Sequence, residues 1–93
     1  MRDRSTEKTM ITETFYKRFA TEMCNVGREN RPLSDEEYSY VMGLIKGAHL
    51  CNHINIHDYE DITLRYASIK DEPYDYLKYI SIIKDLMTKQ HED

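Results

Sequence analysis

Ninety-three residues, 40% hydrophobic and 32% charged with a formal net charge of −4, lie near the globular average and argue against both disorder and a membrane-spanning protein. No apolar run approaches the roughly eighteen residues that a bilayer span needs. One domain covering 1–93 is expected, and a chain this short buries a modest share of its surface, so pairing into a homo-oligomer is expected to add stability.

Long stretches with apolar residues spaced by three and four predict an all-α fold of four helices, at about 5–26, 34–52, 55–70 and 72–89. In the first helix Ile11, Phe15, Phe19, Met23 and Val26 form one stripe flanked by Tyr16 and Ala20, and Gly27 stands where a left-handed residue would end it. The ends, 1–4 and 90–93, are expected to fray.

The segment LSDEEY, residues 33–38, opens the second helix. Ser34 can accept from the amide of Glu37, whose carboxylate can return to the amide of Ser34, while Leu33 staples onto Tyr38. Asp35, Glu36 and Glu37 also suit the positive end of the helix dipole, which explains an acidic cluster without a ligand. Tyr38, Val41, Leu44, Ile45, Ala48 and Cys51 make the inner side. Gly43 and Gly47 cost about 1 kcal/mol each in a helix interior. Being four apart, they share a face on which another helix could come close.

The same plan recurs at INIHDY, residues 54–59, where Asn55 caps the third helix, Asp58 is its third residue and Ile54 staples onto Tyr59. Ile62, Tyr66 and Ile69 are its inner side. The short link at Asn52 and His53 folds the second and third helices into a central antiparallel hairpin. Asp71 and Pro73 are expected to start the fourth helix, with Tyr76, Tyr79, Ile80, Ile83, Leu86 and Met87 inward. Leu77 and Ile82 fall off that stripe, and with Gly43 and Gly47 they mark an expected oligomer interface.

Three histidines, His49, His53 and His57, are spaced by four and on one continuous helix would share a face suited to zinc. A cap at Asn55 breaks that ladder, so a metal site would rest on His49 and His53 with ligands from elsewhere, such as His91. The doublet His57-Asp58 with the upstream histidines resembles the ligand pattern of the metal-dependent HD phosphohydrolases, which would imply a metal-dependent hydrolase. Those enzymes gather ligands from several helices of a domain larger than this chain, and helix capping accounts for Asp58. No cofactor is expected.

No nucleophile elbow, phosphate loop or paired-cysteine motif is present, so the expectation is a protein without catalysis. Cys24 and Cys51 are expected to be reduced, buried thiols. The opening MRDRSTEKTM lacks the apolar core of a secretory signal, which predicts a cytoplasmic protein. Residues 1–31 carry +2 and residues 32–93 carry −6. That balance disfavours nucleic acid as a partner and leaves Lys8, Lys17, Arg18, Arg28 and Arg31 as its only basic contact. Eight tyrosines are the most unusual feature, since tyrosine is enriched where protein surfaces meet. Tyr74, Tyr76 and Tyr79 with Asp71, Glu72 and Asp75 form an expected acidic, aromatic surface for a protein partner. In size and composition the chain resembles compact inhibitors and regulators carried by phages and other mobile elements.

Overall fold

The computed structural model describes residues 10–27 and 30–89. Among the described residues four helices follow one another, α1 (Glu13–Val26), α2 (Asp35–Leu50), α3 (Ile56–Ile69) and α4 (Tyr76–Lys89). The chain is all-α, as the spacing of its apolar residues requires.

Two helix starts lie where the sequence places them. Ser34 Oγ accepts from Glu37 N at 3.1 Å while Glu37 Oε1 accepts from Ser34 N at 2.8 Å, closing the capping box of α2. Asn55 Oδ1 accepts from Asp58 N at 2.8 Å and caps α3.

The other two starts come later than expected. Thr12 caps α1, its hydroxyl accepting from Phe15 N at 3.2 Å, and Ile11 is extended, paired with Ile54 in an isolated antiparallel bridge. Residues 5–9 of the expected first helix lie outside the described residues, as do the termini expected to fray. At α4 the expected cap Asp71 and the turn at Pro73 precede the helix. Pro73 disfavours helical geometry at Glu72, and Tyr74 is held extended by its N–H to Arg31 O at 2.7 Å and its hydroxyl to Met23 O at 2.6 Å. Asp75 then starts the helix, accepting from Leu77 N through Oδ1 at 3.0 Å and from Tyr79 N through its carbonyl at 3.1 Å.

Gly27 is extended (φ −153°), not left-handed as expected. Space explains it better than conformation, because a Cβ there would sit 2.5 Å from Leu33 Cδ2. The left-handed residue that matters is Asn52 (φ 66°) after α2. His53 N reaches back to Ala48 O at 2.8 Å and Asn52 N to His49 O at 3.1 Å, the paired bonds of a Schellman turn with asparagine in the usual glycine place. That turn sends α3 back along α2.

Packing closes the hairpin into a ring. α1 packs on α2 and α4, and α3 packs on α2 and α4, so the outer helices meet each other as well as flanking the hairpin. One core cluster runs through the ring, with Phe15, Phe19 and Met23 from α1, Val41 and Ile45 from α2, Ile62 and Tyr66 from α3, and Tyr79, Ile83 and Leu86 from α4. No described helix is long and apolar enough to cross a membrane.

Candidate functional site

Both cysteines are exposed, contrary to the buried thiols expected. Cys24 stands about 100° around the helix from the buried Met23, and Cys51 is the residue on which α2 ends.

The histidines separate as the cap at Asn55 requires. His49 stacks on Tyr59 with ring centroids 5.3 Å apart and has Nδ1 3.3 Å from Ile54 O. His53 turns toward α1, its Nδ1 2.7 Å from Thr12 Oγ1 and its ring 6.4 Å from that of Phe15. His57 is exposed on the first turn of α3, and His91 lies outside the described residues. Among the described residues no group of three or more His, Cys, Asp or Glu side chains could hold a metal ion. His49 and His53 are thus engaged in joining α2, α3 and the chain before α1.

Of the expected contact surface at residues 71–79, the acids Asp71, Glu72 and Asp75 are exposed, but two of its three tyrosines are interior. Tyr74 and Tyr79 are each only 2% exposed, which removes them from any surface. Their rings lie 5.1 Å apart, and Tyr79 is 4.6 Å from Tyr66, whose hydroxyl donates to Tyr79 O at 2.8 Å. Burial pushes the Tyr79 phenol up to about 12 and Tyr66 well above its usual value, so both are neutral pieces of core. Tyr76 is half-buried. Glu72 pairs with Lys78 at 2.6 Å and Asp75 caps α4, leaving Asp71 as an exposed acid without such a role. Tyrosine's phenol explains the misreading, since the same residue type serves a wet surface or a core with a carbonyl to meet.

The basic contact is also reduced. Lys17 and Arg18 are exposed on α1, Arg31 holds Glu37 through two bonds of 2.8 and 2.9 Å, and Lys8 and Arg28 lie outside the described residues. In α3, Arg65 is tied to Asp61 at 2.9 Å and to Asp85 of α4 at 3.4 Å.

What the fold leaves open is a groove of about 420 Å³ between α1 and α2. Phe15, Phe19 and Ala48 supply apolar wall, Arg18 and Glu22 stand on the α1 side, and Gly43 and Gly47 lie on the α2 side. Tyr40 leans across the groove and donates to Glu22 Oε1 at 2.7 Å. A Cβ placed on either glycine would meet nothing within 4 Å. Packing within this chain therefore does not account for glycine at these positions. Of the expected interface residues, Leu77 (67% exposed) and the half-buried Ile82 sit on α4, away from the groove. The structure brings Gly43 and Gly47 together but does not join them to Leu77 and Ile82.

No protein-family model matches the chain, and comparison with curated proteins and with solved structures gives no match.

Proposed function

We propose that the chain is a non-catalytic helical interaction protein that self-associates through the α1–α2 groove, the face of α2 from a second copy lying over Gly43 and Gly47. The observation that carries this reading is the pair of helical glycines facing open space. Each lowers helix stability by about 1 kcal/mol relative to alanine, and within one copy neither gains a contact in return.

A second copy suits the face better than an unrelated helix because the stripe is self-complementary. Tyr40, Gly43, Gly47 and Leu50 fall within about 80° of one another around α2, and the two large residues are 47% and 70% exposed. The stripe reads alike in both directions about Ile45. In an antiparallel crossing, Tyr40 of one copy meets the Leu50 end of the other, and Gly43 meets Gly47. Such a patch is what a two-fold interface requires. Most of the ionisable groups that converge elsewhere are spent on caps and helix pairing, which supports binding over chemistry. A cytoplasmic setting and an inhibitory or regulatory role, of the kind found in small phage-borne proteins, fit this reading.

Gly43→Ala and Gly47→Ala separate folding from association. Each variant should unfold about 1 kcal/mol later in urea, as a helix gains alanine, yet associate more weakly in sedimentation velocity. Alanine variants that gain stability and associate as the parent does, or a parent that stays monomeric at high concentration, would rule the reading out.

A further inference from the structure

We propose that Met10–Thr12 is a latch on the α2–α3 connection, closed when the Asp58 carboxyl is protonated and loosened when it is ionised. Three backbone positions make the closed state. Met10 N donates to Asp58 Oδ2 at 2.5 Å, Ile11 pairs with Ile54, and Thr12 N donates to His53 O at 3.0 Å. Thr12 Oγ1 meets His53 Nδ1 as well. Ile11 and Ile54 are 2% and 1% exposed in this arrangement, so opening the latch would wet an apolar pair.

Asp58 is the weak point. It is 1% exposed, and its Oδ1 has no hydrogen-bond partner among the described residues. A buried carboxylate with one oxygen bare is costly when charged. Protonation of Oδ1 removes the charge and leaves Oδ2 free to keep the Met10 amide.

The groups around it do not cancel the burial. Within α3, Asp61 opposes ionisation and His57 favours it, and the amides of Met10 and Asn55 favour it too. From the connection, His53 is turned to Thr12, and from α2, His49 is turned to Ile54 O and Tyr59. Burial is the largest influence, and the Asp58 carboxyl is held above its ordinary value. A carboxyl raised in the closed state stabilises that state at low pH. The stabilisation is lost as pH rises through the raised value.

The test reads the latch alone and is indifferent to what fills the α1–α2 groove. Amide-exchange protection factors, which remove the intrinsic pH dependence of exchange, are followed at Met10 and Thr12 with Ile83 as an interior reference. From neutral to mildly acidic pH, protection at Met10 and Thr12 should rise severalfold relative to Ile83. Asp58→Asn should hold it high and flat. An unchanged ratio in the parent chain, or the same rise in Asp58→Asn, would overturn the proposal. Should that variant not fold, a carbon-detected titration of the parent decides: the Met10 amide shift must share its midpoint with the Asp58 carboxyl, above that of the exposed carboxylates. A Met10 shift that follows the exposed carboxylates instead overturns it.

Discussion

Residues 33–38 and 54–59 follow one plan and reach opposite electrostatic ends. Each begins with a buried aliphatic residue, Leu33 or Ile54, continues with a capping side chain, Ser34 or Asn55, and places an acid at the third helical position, Glu37 or Asp58. Glu37 remains partly exposed beside Arg31, and the guanidinium lowers its carboxyl to about 2. Asp58 is enclosed by the chain before α1, and burial raises its carboxyl. The local pattern sets where a helix starts; the chain that covers the start sets whether its acid is a stabilising charge or a strained one.

The largest difference between the two starts should appear in their apolar residues. Ile54→Ala removes a side chain buried against Ile11 at the meeting of three segments and should cost about 3 kcal/mol. Leu33→Ala should cost about 2 kcal/mol, since Leu33 is nearer the surface. Urea midpoints at constant slope measure both. Equal losses would mean that docking of Met10–Thr12 adds nothing to the second start.

The caps come next. Asn55→Ala should cost about 1.5 kcal/mol and Ser34→Ala about 1 kcal/mol, the half-buried cap having less access to replacement by water. Thermal unfolding distinguishes them, with the larger drop in melting temperature expected for Asn55→Ala. The reverse order would show that the exposed box is the stronger one.

Both starts were legible in the sequence because a capping box spans four residues and needs no distant partner. The starts of α1 and α4 were not, because each depends on contacts made across the fold. Tyr74 stays extended on account of a carbonyl 51 residues away, and the Met10 amide reaches Asp58 across 48 residues. Phe15, Phe19 and Met23 of α1 and Ile62 and Tyr66 of α3 were read as core from period alone, whereas Ile11 reaches the core from the extended chain ahead of α1 and Val26 and Ile69 are only partly buried. Tyr79 was placed both on the inward side of the fourth helix and on the surface, and only the inward placement holds; Tyr74 was placed on the surface alone, because its surroundings, not its type, decide between interior and surface. Gly43 and Gly47 stood out as unexplained in the sequence and remain so within one copy, which is why the groove they line carries the functional reading. The burial of Asp58 was invisible, since its local role as a third helical residue is satisfied equally well in water.

The smallest effect gives the sharpest contrast, because the two acids should respond to pH with opposite sign. Glu37 is lowered from 4.5 to about 2, so its contribution is present above the unfolded value and fades as pH falls from there toward 2. Asp58 is raised above 3.8, so its contribution is present at low pH and is lost as pH rises through the raised value. Glu37→Gln should therefore remove part of the acid destabilisation at the price of a slight loss at neutral pH, slight because the Arg31 pair is exposed and screened by salt. Asp58→Asn should do the converse, gaining at neutral pH and little or nothing in acid. Urea unfolding of both variants across the acid range reads the sign directly. Parallel curves for the two variants would mean that burial at Asp58 does not outweigh the Met10 and Asn55 amides, and the second start would then differ from the first only in its packing.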